Sequence, residues 1–237
     1  MGKDSDQLAS LFRDVVEQLS AGNRIAAEAY WNVFGQEVFK SSNYKFRPGI
    51  HPHEFSCLRA CYYSAKSIER RPPSPDPRML VGRALHNEIN FIMKSALGDS
   101  YIHDVPVDDT EFGREYGIAG EADGLFLHEG KPVLGLEIKT GTVPTSPFQA
   151  HIYQLGLYQL CLKPPFFALW YISRDGDKSK VFFFQQEHLS AVKSRLFDLL
   201  AMIDSGELPP AEGSWFTCRY CPYSYLCLKE GMDAKDR

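Results

Sequence analysis

The sequence predicts an α/β fold, and three observations predict it. Apolar residues recur on a helical period towards both ends of the chain, strand-like apolar runs are confined to its middle, and a turn signal joins two of those runs. At 237 residues the chain is one large domain or one domain with a helical appendage. We place a helical extension at residues 1–48 and the main domain at 49–237. Hydrophobic residues at 44% and aromatics at 13% supply a packed core and exclude a disordered or fibrous chain.

The elements follow in order. Leu8, Leu11, Phe12, Val15, Val16 and Leu19 lie on a helical period within residues 5–38. SAGN at 20–23 breaks that period, so a second helix is expected from Arg24 to about Phe39. Residues 40–53, KSSNYKFRPGIHPH, read as a loop, and EFSCLRACYYSAKSIER carries a short helix. RRPPSPDPR, with four prolines, is a connector unsuited to helix or central strand. Met79 to about Ala96 is an amphipathic helix. Strands are expected near 100–107, 114–127, 132–139, 166–174 and 180–186, with a hairpin turn in LHEGKP at 127–132. Helices are expected at 147–162 and at 187–205, the latter ending at Gly206. No repeat or low-complexity segment is present.

A net charge of −4 does not point to a general polyanion binder, although a local basic groove can coexist with an acidic total. No run of eighteen apolar residues occurs, so no membrane-spanning helix is expected. MGKDSDQLASLF lacks the apolar core of a secretion signal, and Asp6 stands where a myristoylation signal has Ser or Thr. The expectation is a reducing, cytoplasmic setting (a host cytoplasm if phage-encoded), where the six cysteines serve something other than disulfides.

VLGLEIKTG, residues 133–141, reads as a buried strand that nevertheless carries Glu137 and Lys139 on one face. The preceding strand, GIAGEADGLFLH, carries Asp123 before Gly124. The hairpin would lay Asp123 beside Glu137, and two bare carboxylates there would repel until one took up a proton. A divalent cation removes the repulsion, and oxygen ligands favour Mg2+ or Mn2+ over zinc. Lys139 would then stabilise the attacking water or the charge growing on a phosphate. E-x-K alone describes many charged surface hairpins, so the pattern D-x13-E-x-K needs support from elsewhere. His86 sits at the centre of an amphipathic helix; such a residue is commonly a satisfied core histidine, but here it can complete a metal shell. Gln154 and Tyr158, one helical turn apart, can hold a phosphate or base edge, or simply line a half-buried helix face.

The third support is the tail. Cys218, Cys221 and Cys227 have the spacing C-x2-C-x5-C, which in an irregular segment implies a metal. A fourth ligand must come from afar. Cys57 and Cys61 are the candidates, and Cys161, inside an apolar helix, is a poor one. Such a site would staple the two ends of the domain together. Spacing does not separate zinc from an iron–sulfur cluster.

GRALH, GEADG, LEIKTG, QLGLY and the C-x2-C-x5-C tail with a distant upstream cysteine, taken together, resemble the RecB-like branch of the PD-(D/E)xK nucleases. Within it they resemble the iron–sulfur type, the Cas4-like, AddB-like and phage exonuclease proteins. The resemblance runs from about Phe55 to Cys227. It implies a restriction-endonuclease-like core, a central mixed sheet flanked by helices, with the cluster segment at 218–227. It implies a [4Fe–4S] cluster on Cys57, Cys218, Cys221 and Cys227. Cys57 is favoured because CLRACYY resembles C-P-R-x-x-Y-Y with Leu58 for Pro, and Cys61 stays a rival. It also implies metal-dependent hydrolysis of DNA, as an exonuclease on single strands or ends. His86, Asp123, Glu137 and the Ile138 carbonyl would hold Mg2+ or Mn2+, and Lys139 would assist catalysis. Gln154, Tyr158, Arg59 and Arg83 would contact the strand, with Tyr62, Tyr63, Trp215 and Tyr220 as candidate stacking surfaces. The N-terminal helices are a candidate site for a protein partner. The competing readings are a non-catalytic or partner-dependent DNA-binding adaptor with structural zinc, and a duplex endonuclease, which would need a dimer and a recognition element.

Overall fold

The computed structural model describes residues 2–41, 47–71, 77–213 and 218–229. The chain divides into two compact units, Met1–Phe46 with Ser74–Val81, and Arg47–Pro73 with Gly82–Arg237. In the first unit the expected helices form as α1 (Gly2–Ser20) and α2 (Arg24–Ser41). Gly22 takes a left-handed φ of 75° at the break, and Asn23 Oδ1 caps α2 by accepting from Ala26 N at 3.3 Å. Val15 and Ala27 are its buried apolar residues among those described.

The second unit holds a five-stranded mixed sheet in the order β1-β2-β3-β4-β5. Its strands are β1 (Tyr101–Pro106), β2 (Glu121–His128), β3 (Lys131–Thr140), β4 (Phe166–Ile172) and β5 (Ser179–Phe184). Neighbours are antiparallel except β3 and β4, which are parallel. A parallel pair needs a crossover, and α6 (Gln149–Leu162) supplies it. The turn between β2 and β3 lies where LHEGKP predicts, with Glu129 and Gly130 both at positive φ, as a tight hairpin demands. Helices flank both faces. On one face Leu85, Ile89 and Met93 of α4 (Pro77–Leu97) pack on Tyr101, Leu136, Ile138 and Ala168. On the other, α6 and α7 (Leu189–Ser205) bury Leu155, Leu157, Leu196 and Leu199 against Phe167, Leu169 and Tyr171. Each such fully buried side chain contributes roughly 1.5–3 kcal/mol. The two helices approach closely at Gly156, where a Cβ would meet Val192 Cγ2 at 2.5 Å.

Two expectations need correction. The strand expected over 114–127 begins only at Glu121, because Glu111–Tyr116 forms α5. Thr110 Oγ1 accepts from Gly113 N at 2.9 Å at its start, and Gly117 closes it at φ 64°. A cap at each end thus overrides the β preference of Tyr116, the aromatic residue that the expected strand included. Second, α4 starts at Pro77, inside the proline-rich connector, since the first turn of a helix tolerates proline. Residues 72–76 of that connector and 42–46 of the preceding loop lie outside the described residues. The helix expected within 54–70 is α3 (Leu58–Ala65), and the chain's last described helix is α8 (Ser224–Lys229). Among the described residues no helix is long and apolar enough to cross a membrane.

Candidate active site

The β2–β3 ladder runs from the hairpin as far as the pair Gly124↔Leu136 and stops. Just beyond it, Asp123 stands beside Glu137 without a ladder pairing between them. Ile138 N–H, left without a strand partner on that side, donates to Asp123 Oδ2 at 2.6 Å. The carboxylate thus replaces a backbone acceptor where the strands part, and the sequence's D-x13-E spacing places it there. Strand alternation puts Glu137 and Lys139 on one face, and Lys139 Nζ lies 2.7 Å from Glu137 Oε1.

From α6, Gln154 reaches between them. Its Oε1 accepts from Lys139 Nζ at 2.7 Å, and its Nε2 donates to Glu137 Oε1 at 2.8 Å and to Tyr158 OH at 3.3 Å. From α4, His86 Nδ1 lies 3.3 Å from Asp123 Oδ1. Six of the expected site residues, His86, Asp123, Glu137, Lys139, Gln154 and Tyr158, therefore form one connected group. Gln154 and Tyr158 are buried within it rather than presented to solvent.

Burial governs the electrostatics. Glu137 is only 4% exposed, and that burial, reinforced by the Asp123 charge and opposed by Lys139, pushes its carboxyl up to about 7. Burial works against a charged His86, yet the hydrogen bond to Asp123 and the nearby carboxylates hold it above its ordinary value. Glu137 Oε2 is buried with no hydrogen-bond partner. A carboxylate oxygen in that position costs on the order of 1–3 kcal/mol or more, and a bound cation would remove the penalty. Among the described residues no group of three or more His, Cys, Asp and Glu side chains is arranged to hold a metal ion. Here Asp123 Oδ2 and Glu137 Oε1 are turned to internal donors. The all-oxygen pair, the adjacent imidazole and the orphaned oxygen fit a hard divalent cation.

Arg59 is engaged elsewhere, its Nε donating to the Pro209 carbonyl at 2.7 Å, and Arg83 is an exposed residue of α4. Tyr63 is core, packed 5.5 Å from the Tyr223 ring, and Tyr62 OH is tied to the Gly206 carbonyl at 3.3 Å. Trp215 lies outside the described residues. His151 was not singled out from the sequence, although it shares a face with Gln154 and Tyr158 at spacings of three and seven. Its Nδ1 lies 2.7 Å from Tyr171 OH. Burial first and then the Lys139 charge push its pKa down to about 3, so it is a neutral member of the site wall.

The cysteines gather at a second place. Cys57, Cys221 and Cys227 pack on an apolar cluster of Ala60, Tyr63 and Tyr223, and Cys218 is one turn from Cys221, whose N–H donates to its carbonyl at 3.2 Å. All six cysteines are unbridged. Cys61 belongs instead to the main core, fully buried, with Sγ 3.9 Å from the His51 carbonyl. A polar clamp brings the C-terminal connector to Cys57. Arg195 bonds the Phe55 and Ser56 carbonyls and grips Glu212 at 2.6 and 3.0 Å, and Glu212 Oε2 accepts from Leu58 N at the start of α3 at 3.1 Å.

Against known proteins, residues 89–228 match the family model described as PD-(D/E)XK nuclease superfamily. The matched span includes Asp123, Glu137, Lys139, Gln154 and the tail cysteines. Among solved structures, SSO0001 is 18% identical with a TM-score of 0.54, covering 98% of this chain and 98% of its own. The alkaline exonuclease LHK-Exo from Laribacter hongkongensis is 11% identical with a TM-score of 0.47, covering 77% of this chain and 93% of its own. Its complex with dAMP gives 13% identity, the same TM-score and the same coverage. The first likeness speaks to the fold alone, and the second is too distant to carry a functional conclusion. No curated protein sequence matches.

Proposed function

Because the chain belongs to the PD-(D/E)XK nuclease superfamily, we propose that it is a deoxyribonuclease dependent on Mg2+ or Mn2+. In this reading it acts as an exonuclease on single-stranded DNA or DNA ends and carries a [4Fe–4S] cluster in its cysteine segment. One observation carries the catalytic part. Asp123, Glu137 and Lys139 converge where β2 and β3 part, with a buried Glu137 oxygen still unpartnered.

A divalent cation held by His86, Asp123, Glu137 and the Ile138 carbonyl would supply Lewis acidity and lower the pKa of the attacking water. Lys139 orients that water and offsets charge growing on the phosphate. Gln154 bonds to both members of the Lys139–Glu137 pair, and its Nε2 also donates to Tyr158 OH, so the pair that meets the strand is positioned through them. Arg83, exposed on α4 near His86, contacts backbone phosphates.

The gathering of Cys57, Cys221 and Cys227 on one apolar patch supports the cluster, with Cys218 one turn away. Burial pushes the Cys221 thiol up to about 12, so its thiolate needs a cation beside it. Cys57 suits a fourth ligand better than Cys61, which faces the core.

The test is anaerobic purification with a visible absorbance scan, then titration of Mg2+ and Mn2+ on end-labelled single- and double-stranded DNA. Brown protein that shortens single strands from an end is expected. A colourless, folded, zinc-loaded protein would overturn the cluster, and a protein that cuts no DNA with either cation would overturn the nuclease.

A further inference from the structure

Between α4 and the edge strand β1 lies a groove of about 350 Å³, walled by Asn87, Asn90 and Phe91 on the helix and His103 and Asp104 on the strand. We propose that this groove holds one unpaired nucleobase of the strand being cleaved, a reading that rests on the nuclease function proposed above.

Its position argues for this. Asn87 follows His86 directly, and Asn90 lies one helical turn beyond it. On the other wall His103 pairs with Gly124, the neighbour of Asp123. The helix wall thus begins one residue from His86, and the strand wall lies across from the residue that follows Asp123. The floor is rigid: Tyr101 OH donates to Asn90 Oδ1 at 2.6 Å, and its ring lies so close over Gly124 that a Cβ there would meet the hydroxyl at 2.4 Å.

The chemistry of the walls selects a base. Phe91 is 68% exposed although it stands in a concave site, which leaves its ring available for stacking. Asn87 and Ser95 offer uncharged donors and acceptors, and Asn90, with its carbonyl taken by Tyr101, offers its amide N–H groups. His103 Nδ1 lies 2.9 Å from Asp104 Oδ2, which fixes the ring and leaves Nε2 for a ligand. A phosphate suits the groove poorly. Lys94 Nζ is committed to the Gly98 and Tyr101 carbonyls at 2.8 and 3.0 Å, and the Asp104 carboxylate repels an anion. Asp104 also takes a left-handed φ of 50° within β1, a conformation costly outside glycine and sparingly used in strands.

The test uses the full chain carrying Lys139→Ala, so that DNA is bound without being cut. Fluorescent single strands carrying one abasic site, moved position by position, are titrated against it. One abasic position is expected to weaken binding about tenfold while the others matter little. Adding Phe91→Ala should weaken binding of the intact strand about tenfold and erase the penalty at that one position, and Phe91→Tyr should keep both. In the otherwise native chain Phe91→Ala should raise KM with kcat within about twofold, and melting should not change because the ring is exposed. A flat abasic scan, or an unchanged affinity in Phe91→Ala, overturns the groove while leaving cleavage by the native chain intact. A native chain that neither binds nor cuts DNA overturns the groove and the nuclease reading together.

Discussion

Lys139 Nζ and Glu137 Oε1 are 2.7 Å apart on one face of β3, and Gln154 bonds to both. A charged pair in the sheet interior is an expensive arrangement unless each member is paired. The pair is therefore a poised one, in which Lys139 lowers the penalty of an acid that burial otherwise drives towards neutrality.

Removing the amine separates binding from chemistry. Lys139→Ala should reduce cleavage by at least about 10²–10³-fold, the scale for losing a positioned transition-state donor. DNA affinity should stay within a few-fold, measured by fluorescence anisotropy. A variant that cuts as fast as the native chain would remove Lys139 from the mechanism.

The raised Glu137 carboxyl sets a pH dependence. Below about 7 a proton occupies the group that a cation needs. Half-saturating Mn2+, measured by calorimetry, should therefore rise about tenfold per pH unit below that point and level off above it. Stability of the metal-free chain carries the opposite sign. A carboxyl whose folded pKa is raised favours the fold while protonated, so this contribution is lost as pH rises from the ordinary carboxylate range through about 7. Thermal melting without metal tests it.

Gln154→Ala should destabilise the chain by about 1–3 kcal/mol, because it strips partners from Glu137 and Lys139 inside the protein. Tyr158→Phe keeps the ring but loses the 3.3 Å bond from Gln154 Nε2, and should cost about 1 kcal/mol. Denaturant melts of the two variants should separate them clearly.

The D-x13-E-x-K group was legible in the sequence because it rests on local rules. Strand alternation aligns Glu137 with Lys139, and a two-residue turn fixes how far back Asp123 must lie. The helical spacing of Gln154 and Tyr158 was legible for the same reason, and a half-buried helix face was one of its two readings, short of the near-complete burial found. The sequence does not show α5 despite caps at Thr110 and Gly117, because the strand expected over 114–127 takes in its last turn, with Tyr116. Arg195 with Glu212, and Tyr101 with Asn90, left no trace in the sequence. They join segments brought together only by the fold, and no local period marks such pairs.

The Arg195–Glu212 clamp holds the start of α3, and with it Cys57. Arg195→Ala should cost about 1–3 kcal/mol in thermal melts and lower the occupancy of the proposed cluster, since Glu212 and the Phe55 and Ser56 carbonyls lose the guanidinium, leaving Glu212 only the Leu58 N–H. Unchanged iron would separate the clamp from the cysteine site.

If the tail cysteines hold the proposed [4Fe–4S] cluster, Cys218→Ser should abolish its colour and cost much of the chain's stability, because ligand bonds are part of folding free energy. Iron analysis and melting of the variant check both.

The most direct measurement is an anomalous-difference map from a crystal soaked in Mn2+. A peak between the Asp123 and Glu137 carboxylates, with Lys139 alongside, is the expected result. Empty density there, with both carboxylates still turned to their internal donors, would contradict the shared-cation site and the hydrolysis built on it.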